Sequence, residues 1–387
     1  MTLPLAAMLV GTVFAVGSGA RGTTAAAPRL TITPSHALVD VPIDVRATGL
    51  RPHGVATIQV STNDYLGKTW RSRVAYTADK KGVVDTHGNG RISRSITGPD
   101  GPNFRPPFGA TDVKIAVLID RRAASKGVLV RRGSAVDVAE HDTTVAGDGF
   151  VGMYFAPPVP TMAAPTMLVL GGYTPYPAIL LASHGYPSLS LAYFKEPGLP
   201  QTLQNIPLEY FAKALRWLAA QPGVDPHRIV LLGASRGGEA ALLIGSAYPD
   251  LVHGVIAASA SDRVLGGLPA GFAWTLNGRP VLGDIPVERV VGPVLAFAGR
   301  QDAVVGKDAA ASVERIVERA RAHGRTDVQG IIYRLAGHGV VGIPNLPSPG
   351  EVEVAPHAFV ELGGTPAANA MAHAESWARI LRFLRSR

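Results

Sequence analysis

A serine placed between glycines offers the clearest chemistry in the sequence. Ser235 lies in the run Gly-Ala-Ser-Arg-Gly-Gly, directly after the apolar run 229–232 and before an alanine-rich segment. A strand, a tight turn and a helix in that order is the pattern of a nucleophile elbow, whose strained backbone exposes the serine hydroxyl. Glycines are needed two residues away on either side because larger side chains would collide across the bend. The pattern predicts that Ser235 is a nucleophile for acyl transfer.

Such a serine needs two partners elsewhere in the chain. Its hydroxyl attacks only when a base takes its proton, and the base needs a carboxylate that holds its tautomer. In chains with this elbow the order is serine, acid, histidine. Asp302, after the apolar run 294–298, is the favoured acid, and Asp262 is its rival. His338, in a Gly-His-Gly loop, is the favoured base, and His357 is a weaker competitor.

Acyl transfer also needs hydrogen-bond donors for the oxyanion of its tetrahedral intermediate. The backbone N–H of Arg236, at the start of the helix that follows Ser235, is one expected donor. The backbone of Gly172 and Tyr173, after an early strand, is the second. A plain turn is the alternative interpretation of that loop.

These residues must be positioned by the elements around them. Beyond residue 150, apolar strand-like runs alternate with amphipathic helical segments, which predicts a mostly parallel sheet covered by helices. Strands are predicted at 167–170, 188–193, 228–232, 254–258, 294–298 and 331–335, and helices at 208–220, 238–248, 309–323 and 367–384. Residues 28–150 show short strands between turn residues instead, which is typical of a β-sandwich. We therefore expect a β-sandwich domain over 28–150 and an α/β domain over 151–387.

The N-terminus resembles a targeting segment. Residues 3–16 are mostly apolar, and the small residues 24–27 precede Pro28. This pattern predicts a signal peptide over residues 1–27, export or display at the cell surface, and no membrane span after cleavage. The alternatives are an uncleaved apolar anchor and a start codon placed slightly wrongly; without a true signal, the chain is expected in the cytoplasm.

The composition excludes several kinds of chemistry. The 387 residues include no cysteine, which excludes disulfides, thiolate catalysis and cysteine-ligated zinc. The net charge is +8, but the basic residues are scattered and no nucleic-acid-binding motif accompanies them, so we expect no nucleic-acid partner. We expect no metal and no cofactor, and the predicted partner is a small-molecule acyl thioester or ester substrate.

Segments along most of the chain carry a more specific likeness. They lie at 152–158, 185–186, 191–193, 208–211, the Ser235 elbow with Glu239, 285–289, 301–302, 322–325, 337–338, 363–366, 369–372 and Trp377. Together they resemble the family of acyl-CoA thioesterases and bile acid-CoA:amino acid N-acyltransferases. The resemblance implies an α/β-hydrolase domain preceded by an all-β, immunoglobulin-like sandwich domain.

The resemblance also implies a reaction. It is the hydrolysis of an acyl-CoA to a free fatty acid and CoA through an acyl-enzyme on Ser235, with His338 as base and Asp302 as its partner. Family members with cysteine in the elbow are the ones linked to amine transfer, so Ser235 favours hydrolysis. Two alternatives remain open. One is an exported serine esterase or acyltransferase that acts on a non-CoA ester; the other is a non-catalytic binding protein on the same scaffold.

Overall fold

The structure is a computed structural model that describes residues 27–63, 67–87, 110–158, 164–171, 175–306, 308–345, 350–355 and 358–386. Nearly all of the predicted signal peptide therefore lies outside the described residues. None of the helices in these ranges is both long and apolar enough to cross a lipid bilayer.

Two small sheets occupy the N-terminal part of the chain. Their strands are β1 (Arg29–Thr33), β2 (His36–Leu38), β3 (Asp44–Thr48), β4 (Val55–Asn63), β5 (Thr69–Thr77), β6 (Val84–Asp85), β7 (Ala110–Ile119) and β8 (Arg122–Arg132). One sheet has the order β1-β3-β6 and the other β2-β8-β7-β4-β5. Alternate side chains of a strand point to the same face, so both sheets contribute apolar residues such as Val45, Ile58 and Leu129 to one shared core.

A larger sheet follows in the C-terminal part. The remaining strands are β9 (Ala139–Thr143), β10 (Val151–Ala156), β11 (Thr166–Leu170), β12 (Ser188–Ala192), β13 (Ile206–Pro207), β14 (Ile229–Ala234), β15 (Val255–Ala258), β16 (Trp274–Leu276), β17 (Arg279–Pro280), β18 (Val294–Gly299), β19 (Val328–Tyr333), β20 (Glu351–Ala355) and β21 (Ala358–Glu361). Eight of them form one sheet in the order β19-β18-β15-β14-β11-β12-β10-β9. Within this sheet β10 alone runs in the direction opposite to the other seven strands. The carboxyl ends of those seven strands therefore share one edge.

Helices cover both faces of the eight-stranded sheet. They are α1 (Tyr176–Ser183), α2 (Leu208–Ala219), α3 (Arg236–Ala247), α4 (Asp308–Ala322) and α5 (Pro366–Arg385), with a 3-10 turn at Val287–Arg289. Successive side chains of β11 point to opposite faces, so Leu168 belongs to the apolar cluster that includes residues of α2, α3 and α4, while Met167 belongs to the cluster that includes residues of α1 and α5. The mixed α/β class predicted for this part of the chain is confirmed.

Several elements were not among those predicted from the sequence, including β10, and two of the differences have clear physical reasons. Helix α1 was not predicted, because nearly all of its side chains are apolar and buried and therefore leave no amphipathic period. Strand β9 belongs to the eight-stranded sheet although it precedes residue 150, the predicted start of the α/β domain. Its sequence, Ala-Glu-His-Asp-Thr, is mostly exposed at the sheet edge and lacks the apolar run that marks a buried strand.

A buried carboxylate joins the two parts of the chain. Asp40 is 9% exposed, and its Oδ2 accepts a 2.8 Å hydrogen bond from Trp377 Nε1 of helix α5. The same oxygen is paired with His184 Nε2. Asn345 adds a hydrogen bond from its Nδ2 to the Asp40 carbonyl oxygen. These contacts attach the turn after β2 to the helices of the larger sheet.

Replacing Asp40 with alanine should therefore destabilise the whole chain. The buried Trp377 N–H would lose its acceptor, and an unsatisfied buried donor costs about 1–3 kcal/mol. Urea unfolding of Asp40→Ala should give a free energy of unfolding lower by about that amount. Asp85→Ala removes an exposed ion pair with Arg46 instead, and its effect should be much smaller. Equal stability of the two variants would contradict this role of Asp40.

Candidate active site

Ser235 occupies the sharp bend between β14 and α3. Its backbone has φ 55° and ψ −124°, a conformation that residues other than glycine rarely adopt. A Cβ at Gly233 would lie 2.0 Å from the carbonyl oxygen of Gly237, and a Cβ at Gly237 would lie 2.2 Å from that of Leu170. The bend therefore requires glycine at both positions. The N–H of Ser235 donates a 2.8 Å hydrogen bond to the carbonyl oxygen of Ala258, which ties the bend to the neighbouring strand.

Asp302 and His338 lie beyond the neighbouring strand β15, after β18 and β19 at the same edge of the sheet. The Nδ1 of His338 is 2.7 Å from Oδ2 of Asp302. Because a carboxylate only accepts hydrogen bonds, Nδ1 is the donor, which leaves Nε2 free to accept a proton. The other oxygen, Oδ1, accepts hydrogen bonds from the N–H groups of Val304 and Val305. The Asp302 side chain is fully buried, and that of His338 is 12% exposed.

The rival residues have other surroundings. Asp262, the alternative acid, accepts two 2.8 Å hydrogen bonds from the guanidinium of Arg315, whereas Nδ1 of His338 is hydrogen-bonded to Asp302. Both oxygens of this carboxylate thus bind the guanidinium of a residue on α4. His357, the competing base, lies outside the described residues.

The expected oxyanion donors are described only in part. Arg236 is the first residue of α3, so its backbone N–H has no acceptor within the helix and is available to a ligand. Gly172 and Tyr173 lie outside the described residues. Gly171, directly before them, is close to the elbow, since a Cβ there would lie 3.4 Å from the backbone nitrogen of Ala234.

Ser235 and His338 line the same cavity, whose volume is about 720 Å³. This size is typical of small-molecule sites, for which about 300–1,000 Å³ is usual. The exposed surface of the lining is mostly apolar, with Leu265, Val304 and Leu362 among its residues, although charged side chains of α3 and α4 also line the cavity. In the part of the chain that the structure describes, no three His, Asp or Glu side chains are grouped as a metal site would require. The arrangement suits nucleophilic attack by Ser235 on an acyl group.

Comparison with protein families matches two parts of the chain. The model described as the C-terminal part of the BAAT/acyl-CoA thioester hydrolases matches residues 206–267 and 280–387. The model of the acyl-CoA thioester hydrolase/BAAT N-terminal region matches residues 40–95. Together the two cover more than half of the chain. The chain belongs to the family of acyl-CoA thioesterases and bile acid-CoA:amino acid N-acyltransferases.

Members of this family align along nearly the whole chain. Acyl-coenzyme A thioesterase 5 of Mus musculus is 27% identical, with 92% of this chain and 96% of the relative covered. Acyl-coenzyme A amino acid N-acyltransferase 1 of Mus musculus is 26% identical, with 92% and 97% covered. Among solved structures, a putative dienelactone hydrolase from Klebsiella pneumoniae is similar at 18% identity and a TM-score of 0.46, over 65% of this chain and 99% of that one.

The base loop of this family member is held by residues that the sequence did not single out for this task. Ser259, after β15, donates from Oγ to the carbonyl oxygen of His338 at 2.6 Å. Asn369 of α5 accepts from the N–H of Gly337, and His373, one turn later, donates from Nε2 to the carbonyl oxygen of Gly339. The contacts join segments far apart in sequence. The one signal that marks Ser259 is its positive φ of 46°, and this signal is visible in the structure but not in the sequence.

A second group of contacts, around Glu239, holds another part of the cavity lining. Glu239 of α3 is 1% exposed, and its Oε1 accepts hydrogen bonds from the N–H of Leu265 and from Trp274 Nε1. Its Oε2 lies 2.7 Å from Nη1 of Arg236, which donates from Nη2 to the carbonyl oxygens of Leu265 and Gly266. Burial raises the pKa of Glu239, against the opposing effect of the Arg236 guanidinium. These contacts attach the segment that carries Leu265 to the elbow helix.

His373 should make the stability of the protein depend on pH. Burial lowers its pKa from 6.5 to about 4, so in mildly acidic solution the unfolded chain binds a proton at this site that the folded chain does not. Stability contributed by the neutral imidazole is therefore lost as the pH falls from about 6.5 toward 4. Between pH 7.5 and 5 the loss should be about 2 kcal/mol in the free energy of unfolding.

The measurement is urea unfolding of the native chain and of His373→Gln at both pH values. The native chain should lose about 2 kcal/mol more than the variant on acidification. His323→Gln, at an exposed histidine directly after α4, is the matched control and should retain the native dependence. An equal loss in native chain and His373→Gln would show that His373 is not the responsible group.

Proposed function

We propose that this chain is a serine hydrolase of acyl-CoA thioesters, which releases a free fatty acid and CoA. The observation that carries the proposal is the set of three side chains at one sheet edge: Ser235 on its strained bend, and His338 hydrogen-bonded to buried Asp302. Ser235 and His338 open into one cavity with a largely apolar lining, which suits an acyl chain. The names of the aligned relatives add the thioester substrate class.

The proposed chemistry has two halves. First, Nε2 of His338 takes the proton of the Ser235 hydroxyl as Oγ attacks the acyl carbonyl carbon. The backbone N–H of Arg236, together with the loop at Gly172 and Tyr173, stabilises the oxyanion. The C–S bond then breaks, and the imidazolium gives its proton to the leaving thiolate. In the second half His338 deprotonates a water that attacks the acyl-enzyme, and Ser235 Oγ leaves with the returned proton.

Asp302 acts on the base rather than on the substrate. Its Oδ2 holds Nδ1–H of His338, and the two backbone N–H groups at Oδ1 fix the carboxylate. This arrangement keeps the tautomer that presents Nε2 and stabilises the imidazolium when it forms. Water is the proposed acceptor because a serine, rather than the cysteine linked to amine transfer, occupies the elbow.

Two further features belong to the same proposal. We propose that the two N-terminal sheets, which share one core, form an immunoglobulin-like domain ahead of an α/β-hydrolase domain.

We also propose that residues 1–27 are an export signal. N-terminal sequencing of the protein from the producing cell tests the latter: a mature chain that begins near Pro28 supports it, and a chain that retains residues 1–27 contradicts it.

Ser235→Ala and His338→Ala should each lower kcat/KM for an acyl-CoA by at least about 10³-fold, because either change removes the attack step. Asp302→Ala should cause a smaller loss, since it removes only the group that orients the base. Release of free CoA measures turnover, and covalent labelling by a fluorophosphonate reports the nucleophile directly.

Ser246→Ala is the matched control, because this buried serine lies on the same helix and its Oγ donates a hydrogen bond to the carbonyl oxygen of Leu243 within that helix. It should keep both labelling and turnover. Absence of labelling in the native chain would favour a non-catalytic binding protein. Labelling with turnover of p-nitrophenyl esters but not of acyl-CoA would favour an esterase, and formation of an N-acyl amino acid in place of the free acid would favour amine transfer.

A further inference from the structure

A second, smaller cavity lies next to the catalytic one. The catalytic cavity measures about 720 Å³, and its neighbour measures about 270 Å³. Three residues line both: Asp262, Arg263 and Arg315. Residues that line two cavities lie between them, so these side chains form a partition. Arg263 is 55% exposed, whereas Asp262 is 10% exposed and forms the inner part of the partition.

A tight ion pair closes this partition. Arg315 of α4 donates from Nε to Asp262 Oδ2 and from Nη2 to Asp262 Oδ1, both at 2.8 Å. Ser312, one turn earlier, donates from Oγ to the same carboxylate at 2.9 Å. Burial raises the pKa of Asp262, but the hydrogen bonds from Arg315 and Ser312 outweigh it, and the net pKa is lowered. The pair is therefore ionised at neutral pH.

The partition differs in chemistry from the apolar part of the catalytic cavity. A second ion pair, between Arg236 and Glu239, lines the cavity at the elbow helix. The apolar lining comprises Ala260, Leu265, Leu268, Val304, Val305, Ala309, Val360 and Leu362. A methylene chain gains free energy along such side chains. Against the ion pair it would displace water from charged groups and offer no hydrogen bond in return, which is unfavourable. A growing acyl chain is thus favoured up to the partition and disfavoured beyond it.

We propose that the Asp262–Arg315 pair sets the upper limit on the length of the acyl chain by separating the catalytic cavity from its neighbour. This inference rests on the proposed function, since it assigns the acyl group to the catalytic cavity. Beyond the partition the smaller cavity is lined by the apolar residues Ile285, Val287 and Ile316 and by the charged residues Asp284, Glu318 and Arg319. Removing the partition would offer a longer acyl chain the apolar part of this surface.

The test is the double variant Asp262→Ala/Arg315→Ala. Both residues are changed because removing Arg315 alone would leave the carboxylate of Asp262, which is 10% exposed, without its cation, whereas the Arg315 side chain is 39% exposed. The kcat/KM is measured for a series of straight-chain acyl-CoA substrates from butanoyl to palmitoyl, and for the matching p-nitrophenyl esters. The ratio of long-chain to short-chain kcat/KM should rise by about tenfold or more, which corresponds to about two additional buried methylenes.

Two controls keep the outcome interpretable. Glu375→Ala/Arg379→Ala removes an ion pair of α5 that lines neither cavity, and it should leave the ratio unchanged. If the alanine pair does not fold, Asp262→Asn/Arg315→Ser shortens the partition without burying a charge, and the same direction of change is expected. Fluorophosphonate labelling of Ser235 shows that a variant retains its fold.

The possible failures are distinct. A native chain that hydrolyses no acyl thioester or ester and is not labelled overturns the proposed function and this inference with it. An active native chain and a folded double variant with the same chain-length ratio overturn the inference alone. A double variant that loses activity toward ω-hydroxyacyl substrates, with no gain on longer chains, overturns it too, because the pair would then recognise a polar group.

Discussion

The bend at Ser235 is the constraint on which the rest of the site depends. A residue other than glycine held at φ 55° costs on the order of 1–3 kcal/mol, and such strain persists only where the surroundings determine it. Here the close approach of Gly233 to Gly237 and the hydrogen bond from Ser235 N–H to Ala258 hold the bend, while α3 is anchored by its buried side chains. Relaxing the bend would require these elements to move together.

The base depends on longer-range contacts than the nucleophile does. Its loop is held by two other elements, by Ser259 after β15 and by Asn369 and His373 on the C-terminal helix. Backbone contacts between Ala336 and Gly364 and between Asp302 and Gly363 add to them. The imidazole is consequently fixed by its main chain as well as by its carboxylate, which limits how far Nε2 can move from the cavity.

The nucleophile is held by contacts that are mostly local in sequence, whereas the base is held by contacts between distant segments. This difference explains which residues the sequence could predict. The elbow is a local pattern of about six residues, so Ser235 and its glycines were recognisable from spacing alone, and Asp302 and His338 followed from the order of the strands. Ser259 and His373 were not recognisable, because their partners lie 79 and 34 residues away in the chain. The same holds for helix α1, since a segment that is apolar on every side has no period to detect.

The charges along the cavity bear on how a substrate is recognised. Three arginines line the described part of the cavity, and two of them face a carboxylate at hydrogen-bond distance: Arg236 faces Glu239, and Arg315 faces Asp262. The guanidinium of Arg263, the third, is 3.8 Å from Asp262 and largely exposed. A cation that is already paired offers little attraction to an anionic ligand. For the proposed acyl-CoA substrate, the described lining therefore offers the acyl group shape and apolar contact, and Arg263, the most exposed of the three arginines, is the one available to attract a phosphorylated leaving group.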